Sequence, residues 1–586
     1  MKGTIALDQL KRYPSVEKPW LQFFSEEAKN AEVPKETIYT SLCRRNKGFE
    51  SNYALNFVDH RITFGHLMEQ ANVAAAAFEK LGVKPGDVVA CASITMPEMV
   101  YSMYGLNKIG ATILMLDPRR SNEEILDLLN SSKARVLLVM DLFYDKLKEA
   151  IEEAKLDHLI IISPDASLTP FMRLVKRFKV PTPKIPEEGK TIHWKTFAAT
   201  GSTSPDDSYT APYGENDCAA ITMTGGTTGL PKGVMLSNLG FSSVTTAFEN
   251  CGVRYTREQS FLDIIPAFAS YGIVASLHMP LCLGVEVVTI PKFDPEKVGH
   301  YIKKYRPAHT LMVPAHYEKL MYSKEMRNGF DLSFFETAGS GGDTMNAGTE
   351  AKLNGFLKEH GSRFPLSQGY GMSEVSSAGS CYCNGNFRSL SVGYPLLTNT
   401  ISIFKPETTE ELSYNEEGEI CFTGPGNMLG YLDNPEETEN VMKLHPDGKV
   451  WIHSGDVGYM DEDGFLYIKG RIKRMITRAD GHKVFPVQLE SIFGKHEDVE
   501  ACAVVGVKDP DSVQGDVPIL FVKLIPGADR EKAEKELKAL YNKVELRAMP
   551  YDMVLLDEMP REGMGKIAYQ QLSDMYVEML EQAEAV

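Results

Sequence analysis

The stretch MTGGTTGLPKGVM, residues 223–235, contains four glycines, three threonines and one lysine. Short apolar runs at 219–223 and 234–236 enclose it and have the length of buried strands. Glycines let backbone N–H groups turn toward an anion, threonine hydroxyls add donors, and lysine adds a mobile positive charge. The pattern therefore predicts a phosphate-binding loop between two strands.

The loop does not match a Walker A sequence. That sequence, G-x-x-x-x-G-K-[ST], has a glycine directly before its lysine and a hydroxyl residue directly after it. Here Pro231 precedes Lys232 and Gly233 follows it. The interpretation as a P-loop kinase or GTPase therefore fails at two positions, and a flexible turn is the alternative for the loop taken alone.

The rest of the chain alternates between helical and strand-like patterns. Helical apolar spacing predicts a helix at 64–81 with Thr63 as its N-cap, and a second helix begins at Pro97. Strand-like apolar runs lie at 88–94, 111–116, 135–140 and 159–162. Strands that alternate with helices predict an α/β fold with parallel, helix-covered sheets.

Residues 165–190 interrupt this alternation. The segment is rich in proline and carries four bases interleaved with apolar residues; the bases are Arg173, Lys176, Arg177 and Lys179, and the apolar residues are Phe171, Met172, Leu174, Val175 and Phe178. We expect a surface insertion here. Weak contact with an anionic membrane surface and a solvated loop are both open as interpretations.

Two regions near the C-terminus have sequence patterns that differ from the preceding alternation of strands and helices. Beyond Ser389, short strands and tight turns predict a β-rich subdomain at about 390–470. After it, apolar runs at 501–507 and 519–524 and a charged helix at 530–543 predict a compact α+β domain. We therefore expect a large N-terminal domain, 1–472, and a small C-terminal domain, 473–586.

Composition excludes several classes of function. A chain of 586 residues is expected to form more than one domain. A net charge of −17 argues against a nucleic-acid partner, because neutralising phosphates needs a basic surface. The nine cysteines include no CxxC pair, so they predict neither a disulfide framework nor a zinc site, and we expect reduced thiols in a cytoplasmic protein. No apolar stretch predicts a transmembrane segment.

Four motifs in order resemble the signatures of the acyl-adenylate-forming superfamily, which contains the acyl-CoA synthetases, luciferases and adenylation domains. They are the loop at 224–233, QGYGMSE at 368–374, HSGDVGYMDEDGFLYIKGR at 453–471 and PREGMGKI at 560–567. SGG at 340–342, SVGYP at 391–395 and MLGYLDNPEET at 428–438 also stand in the expected order. The resemblance covers almost the whole chain.

The resemblance implies ATP, Mg²⁺ and CoA as the small molecules bound, together with a carboxylic acid. It implies an ATP site formed by Thr224, Gly225, Gly226, Thr227, Thr228, Gly229, Lys232, Gly341, Gly342, Tyr370, Gly371, Ser373, Asp456 and Arg471. In the family the tyrosine covers adenine, the serine hydroxyl meets the α-phosphate, and the aspartate and arginine hold the ribose. Glu374, with Thr224, is implied to ligate Mg²⁺.

The resemblance also assigns roles in the small domain. Lys566 corresponds to the catalytic cation of adenylation, Lys473 to a hinge about which the small domain rotates, and Gly481 to the glycine that lets the pantetheine of CoA pass. Met564 replaces the usual serine or threonine near Lys566. We expect that this departure slows the adenylation step.

The stretch IIPAFASYG, 264–272, bears on the acid that is activated. Ala269 stands where amino-acid adenylation domains carry an aspartate for the substrate ammonium group, so amino-acid activation is disfavoured. Small residues here favour a bulky apolar acid, either a medium- or long-chain fatty acid or an aromatic or polycyclic one. The expected acyl pocket consists of Phe268, Ala269, Ser270, Gly272 and Gly339.

The sequence thus predicts an ATP- and magnesium-dependent acyl-CoA synthetase that releases AMP and pyrophosphate. Two alternatives stay open: an acyl-AMP ligase that loads an acyl-carrier protein, and a non-catalytic nucleotide-binding homologue. Neither the acid nor the oligomeric state follows from the sequence.

Overall fold

The computed structural model describes residues 12–179, 183–202, 208–224, 232–343, 345–382, 386–509, 515–561 and 567–584. Two large, mainly parallel sheets, a five-stranded antiparallel sheet and a small C-terminal α+β unit make up the fold. The predicted α/β class is confirmed.

The first large sheet, sheet A, has nine strands. In spatial order they are Tyr394–Pro395, Ser380–Cys381, Ser367–Tyr370, Thr337–Ser340, His309–Met312, Ser260–Asp263, Glu286–Thr289, Tyr53–Phe57 and His60–Thr63. The six from Ser367–Tyr370 to Tyr53–Phe57 run parallel, and antiparallel strands extend both edges.

The second large sheet, sheet B, has eight strands. In spatial order they are Gly430–Tyr431, Gly233–Ser237, Cys218–Met223, Thr112–Leu116, Val88–Ala92, Val136–Met140, His158–Ile162 and Thr191–His193. The glycine-rich loop joins Cys218–Met223 to Gly233–Ser237, which pair antiparallel as a hairpin. The predicted strands on either side of the loop are therefore confirmed.

Alternate residues of the sheet B strands enter two different cores. Val89 and Cys91 pack into a large cluster between the sheets, while Ala90 and Ala92 pack against helices on the outer face. Because both faces are covered, these strands are apolar throughout, as expected for parallel strands. Burial of both faces therefore explains why these strands are continuous apolar runs in the sequence.

Helices connect and cover the strands. Thr63 caps the first long helix, because its side chain accepts a hydrogen bond from the His66 backbone N–H. In the described part of the chain, the helices of six or more residues are Ile38–Arg45, Phe64–Lys80, Pro97–Lys108, Asn122–Ser131, Lys148–Glu153, Pro170–Lys179, Trp194–Gly201, Asn238–Glu249, Tyr271–His278, Val298–Tyr305, Pro314–Met321, Ala347–Glu359, Pro435–Val441, Pro486–Phe493, Arg530–Ala539 and Tyr569–Glu584.

The segment at 165–190 differs from its predicted form as a loop. It contains the helix Pro170–Lys179, which lies on the connection between two parallel strands of sheet B. Pro170 occupies the first turn, where a proline is tolerated. Lys176 is buried and pairs with Asp165 at 2.9 Å and Asp141 at 3.5 Å, so the loop interpretation is wrong and this base faces inward.

The predicted β-rich subdomain is present, and its sheet is antiparallel. Its strands are Thr400–Phe404, Gly418–Thr423, Val450–Met460, Met442–Leu444 and Leu466–Arg471. The small C-terminal unit contains Ile476–Thr477 paired with Lys483–Val484, and Val499–Lys508, Asp516–Leu524 and Asp552–Leu556 in one sheet. No helix in the described part of the chain is long and apolar enough to cross a membrane.

Two glycines in helices provide a test of how closely neighbouring helices pack. A Cβ atom at Gly105, in Pro97–Lys108, would lie 2.8 Å from the Ala71 carbonyl oxygen and the Ala75 nitrogen of the adjoining helix. A Cβ at Gly355, in Ala347–Glu359, meets nothing within 4 Å.

We expect Gly105→Ala to lower stability by about 1–3 kcal/mol through overpacking. Gly355→Ala is the matched control and should raise stability by about 0.8–1 kcal/mol, because alanine favours a helix over glycine. Thermal unfolding of both variants measures the difference. Equal melting temperatures would contradict the close helix contact.

Candidate active site

A cleft of about 1070 Å³ opens where parallel strands of both sheets end. Thr224 follows Cys218–Met223, Gly341 follows Thr337–Ser340, and Tyr370 ends Ser367–Tyr370; all three line the cleft. The carboxyl ends of parallel strands are the usual place for ligands in open α/β sheets.

Backbone and side-chain hydrogen bonds hold the base of the glycine-rich loop. The Thr224 N–H donates to the Lys232 carbonyl at 2.9 Å, and the Lys232 N–H donates to the Thr224 hydroxyl oxygen at 3.1 Å. Both residues line the cleft. The predicted phosphate-binding residues between them, Gly225, Gly226, Thr227, Thr228 and Gly229, lie outside the described residues.

Lys232 has an anionic partner that the sequence did not indicate. Its ammonium group pairs with the Glu437 carboxylate and lies 4.9 Å from the centre of the Tyr431 ring. The hydrogen bond from Lys232 lowers the pKa of Glu437 below its ordinary value. The MLGYLDNPEET motif thus places an acid and an aromatic ring beside the loop lysine.

Tyr431 also contacts the predicted magnesium ligand. Its hydroxyl donates to Glu374 Oε1 at 2.6 Å, and both side chains are buried. Burial, reinforced by the Glu374 carboxylate, raises the pKa of Tyr431 above its ordinary value. Glu374 and Thr224 line the same cleft, and their carboxylate and hydroxyl oxygens are the kind of ligand that suits Mg²⁺.

Tyr370, Asp456 and Arg471 form one hydrogen-bonded set. The Tyr370 hydroxyl donates to Asp456 Oδ2 at 2.6 Å, and Arg471 Nε donates to Asp456 Oδ1 at 2.9 Å. Burial, followed by the Asp456 charge, raises the pKa of Tyr370 well above its ordinary value. The charge of Asp456 likewise raises the pKa of Arg471. The three predicted nucleotide residues are therefore brought together.

The cleft also brings together residues that the sequence divided between the ATP site and the acyl pocket. Ser270 and Ser373 approach to 3.0 Å between their hydroxyl oxygens. Ala269, Gly339, Gly341, Gly342 and Gly371 are further lining residues from the predicted set. A Cβ at Gly371 would lie 2.0 Å from the Ser377 carbonyl oxygen, so close backbone packing explains this glycine.

Four predicted residues do not line the part of the cleft formed by described residues. Asp456 is buried and contacts Tyr370 and Arg471, which do line it. Gly272 packs on backbone, since a Cβ there would lie 2.1 Å from the Pro266 carbonyl oxygen. Phe268 lies under the Arg119 guanidinium, 5.2 Å from its ring centre. Gly481 occupies a turn of the small unit with φ of 80°, where a Cβ would meet no described atom within 4 Å.

An irregular helix supplies lining residues that the sequence analysis missed. Tyr271–His278 is a π-helix, a rare form that is frequent at functional sites. Tyr271 and Ala275 from it line the cleft. Other apolar lining residues are Phe248, Val253, Tyr255 and Leu311. The spacing of apolar residues in a short run does not distinguish a π-helix from an α-helix, so the sequence held no signal for it.

The predicted hinge residue lies at the edge of the cleft. Lys473 lines it and belongs to the turn Ile472–Arg474 that follows Arg471. The next residue, Arg474, pairs with Glu490 at 2.7 Å and lies 3.4 Å from the centre of the Tyr569 ring. The small unit is therefore anchored directly after Lys473.

Lys566 and Met564 lie outside the described residues. The residues on either side, Arg561 and Ile567, form an antiparallel bridge. Both line a smaller pocket of about 100 Å³ together with Asp343, which follows Gly341 and Gly342 of the main cleft.

Comparison with known proteins identifies the family. The family model described as AMP-binding enzyme matches residues 42–432, and the model described as AMP-binding enzyme C-terminal domain matches residues 488–566. The chain belongs to the AMP-binding enzyme family. The resemblance to the acyl-adenylate-forming superfamily is thereby confirmed.

Relatives match this AMP-binding enzyme over most of their length. A long-chain-fatty-acid–CoA ligase of Bacillus subtilis is 30% identical, with 95% of this chain and 98% of the relative covered. A 4-coumarate–CoA ligase of Humulus lupulus is 28% identical, with 86% and 87% covered. A crystal structure of the anthranilate CoA ligase AuaEII with anthranoyl-AMP has a TM-score of 0.79 at 22% identity, covering 95% of this chain and 100% of that one, which supports the same fold.

The Tyr431–Glu374 hydrogen bond can be tested by removing one hydroxyl. Tyr431→Phe leaves a buried carboxylate without this donor, and we expect a loss of about 1–3 kcal/mol, because hydrogen bonds to charged groups are among the stronger ones. Tyr322→Phe is the control, since Tyr322 is 62% exposed. Thermal unfolding measures both. A Tyr431→Phe variant as stable as the control would contradict the contact.

Proposed function

We propose that this protein is an ATP- and Mg²⁺-dependent acyl-CoA synthetase that activates a bulky apolar carboxylic acid. One observation carries the proposal: a single cleft is lined both by Lys232, Glu374 and Arg471 and by apolar side chains. The similarity to CoA ligases over nearly the full length supports the same reaction.

The nucleotide would bind at the polar part of the cleft. The Tyr370 ring would cover adenine, and Asp456 with Arg471 would hold the ribose hydroxyls. Their hydrogen bonds to one another fix these side chains before ATP arrives. Ser373 would donate its hydroxyl to the α-phosphate.

Adenylation joins two anions, and positive charge must offset their repulsion. A carboxylate about 4 Å from a phosphate charge is repelled by about 4 kcal/mol at an effective dielectric constant of about 20. Lys232 would exchange Glu437 for phosphate oxygens, and Lys566 would bridge the carboxylate and the α-phosphate. Glu374, with the Thr224 hydroxyl, would hold Mg²⁺, which when bound adds positive charge at the phosphates.

The second half-reaction needs space for the thiol of CoA. We propose that domain 473–586 rotates about Lys473 relative to domain 1–472, so that Gly481 replaces Lys566 at the cleft. Arg561 and Ile567, which flank the Lys566 segment, border Asp343, whereas Gly481 lies outside the cleft. This arrangement suits the adenylation half-reaction.

The acyl group would occupy the apolar part of the cleft. Phe248, Val253, Tyr255, Ala275 and Leu311 line it, and Ala269 provides no counter-ion for an ammonium group. A cleft of about 1070 Å³ is slightly larger than the usual range for ligand pockets, about 300–1,000 Å³. Fatty, aromatic and polycyclic acids fit this description better than amino acids.

A cytoplasmic location is part of the proposal. No disulfide links the described cysteines, which suits a reducing compartment.

Substitution of Lys566 separates the two half-reactions. We expect Lys566→Ala to abolish acid-dependent adenylation, because the transition-state cation is lost, yet to spare thioester formation from supplied acyl-AMP and CoA. Lys532→Ala, on the exposed face of Arg530–Ala539, is the control. Rapid-quench assays with purified acyl-AMP measure each step. Equal losses of activity in both half-reactions would contradict the role proposed for Lys566 in adenylation.

A substitution in the apolar part of the cleft tests the acid class. Ala275→Leu should raise the KM for long or bulky acids about ten-fold or more while leaving a short acid such as butyrate unaffected, since each methylene in such a pocket is worth about 10–200-fold. CoA thioester formation across a panel of fatty, aromatic, bile and amino acids, followed by mass spectrometry, measures this. A uniform change across the panel would contradict the placement.

The same panel separates the two rival functions. Pyrophosphate release without CoA thioester would favour an acyl-AMP ligase that loads a carrier protein. ATP binding with no pyrophosphate release for any acid would favour a non-catalytic nucleotide-binding protein.

A further inference from the structure

Three potential metal ligands of different chemistry meet on the antiparallel sheet beside the nucleotide cleft. A carboxylate oxygen of Glu419, the sulfur of Cys421 and a ring nitrogen of His453 lie within 4.8 Å of one another, and all three residues are buried. Glu419 and Cys421 belong to Gly418–Thr423, and His453 belongs to the paired strand Val450–Met460, where it is directly opposite Cys421. Strand pairing therefore holds them on one face.

Neighbouring groups orient two of these ligands. His453 Nδ1 lies 2.8 Å from Glu419 Oε2, and His453 Nε2 lies 2.9 Å from His445 Nε2. The other carboxylate oxygen, Glu419 Oε1, accepts the Gly455 N–H at 3.0 Å. A metal-bound histidine typically has its second nitrogen hydrogen-bonded, and a metal-bound carboxylate is likewise held.

The thiol is the least engaged of the three groups. Cys421 Sγ lies 3.8 Å from the Glu419 carbonyl oxygen, a long contact, and Cys421 packs in one small cluster with Phe404 and Trp451. His445 Nδ1 is also buried, without a hydrogen-bond partner among the described residues. A hydrogen-bonded Glu419–His453 pair accounts for the histidine and the carboxylate, but it gives no role to a thiol facing them.

We propose that Glu419, Cys421 and His453 Nδ1 form a binding site for one zinc-class divalent ion, with a fourth position open to the cleft. Glu419 and His453 both line the cleft, so a water or a substrate group can reach that position. Binding releases the thiol proton to solvent and replaces the Glu419–His453 hydrogen bond by two metal bonds. The neutral ring of His453 then carries its single proton at Nε2 and donates it to His445 Nε2, and His445 carries its own proton at Nδ1. The site is independent of the proposed function.

The ligand set selects the ion. Thiolate, imidazole and carboxylate together suit Zn²⁺, whereas Mg²⁺ prefers oxygen ligands only. Tetrahedral zinc ligands lie about 3.3–3.6 Å apart, so the Glu419–His453 contact must open slightly and the sulfur must move inward. The ion that assists ATP chemistry at Glu374 is therefore not expected to compete here.

No sequence pattern indicates this site. Cys421 and His453 are 32 positions apart in the chain, with no second cysteine near either one. Only the register of two antiparallel strands places them opposite each other.

Cobalt titration of the full-length protein tests the proposal, because Co²⁺ reports a thiolate ligand directly. We expect one equivalent of Co²⁺ to produce a thiolate-to-cobalt charge-transfer band that excess Zn²⁺ removes and excess Mg²⁺ does not. Cys421→Ala should abolish the band, and Cys421→Ser, which keeps the size of the side chain, should do the same. Cys91→Ala, at another fully buried thiol, is the matched control and should retain it.

His453→Gln should weaken cobalt binding at least about ten-fold. The absence of a band at one equivalent would overturn the proposal. So would a band that survives in both Cys421 variants, since the thiolate would then come from another residue.

Discussion

The hydrogen-bonded set Tyr370–Asp456–Arg471 joins parts of the chain that are otherwise separate. Tyr370 ends a parallel strand of sheet A, and Asp456 and Arg471 are opposite each other on two strands of the antiparallel sheet. Arg471 is also the last residue before the turn at Lys473, where the small unit begins. One buried aspartate therefore joins the side chains that we propose hold the nucleotide, the β-rich sheet and the strand that leads into the small C-terminal unit. The rest of the site is arranged around it.

Charged side chains that line the cleft are paired with other side chains of the protein. Lys232 pairs with Glu437, Arg471 pairs with Asp456, and Glu374 accepts a hydrogen bond from Tyr431. Of these, the Lys232–Glu437 pair is the more exposed, because neither side chain is buried, so phosphate can replace the carboxylate there at low desolvation cost. Asp456 is buried and keeps its partner. The exposed pair is therefore suited to exchange and the buried aspartate to positioning.

Strand–helix alternation and the ordered motifs were enough to predict the α/β class, the β-rich sheet and the convergence of Thr224, Glu374 and Tyr370 on one cleft. The inward-facing Lys176 escaped prediction because a base in a proline-rich segment is indistinguishable from a solvated one until Asp141 and Asp165 are placed beside it. The reason for each glycine within the motifs was also ambiguous in the sequence. Gly371 and Gly272 are required by close backbone approach, which a sequence cannot separate from ligand contact.

Contacts that are set by the pairing register of distant strands could not be predicted from the sequence. Gly430–Tyr431 pairs with Gly233–Ser237, and this brings Tyr431 and Glu437 to the loop lysine. The central claim is that the cleft forms an acyl-adenylate, and ATP–pyrophosphate exchange in the absence of CoA tests it most directly. The account predicts exchange that requires both Mg²⁺ and an apolar acid and that is lost in Asp456→Ala. Saturable ATP binding with no acid-dependent exchange would contradict it.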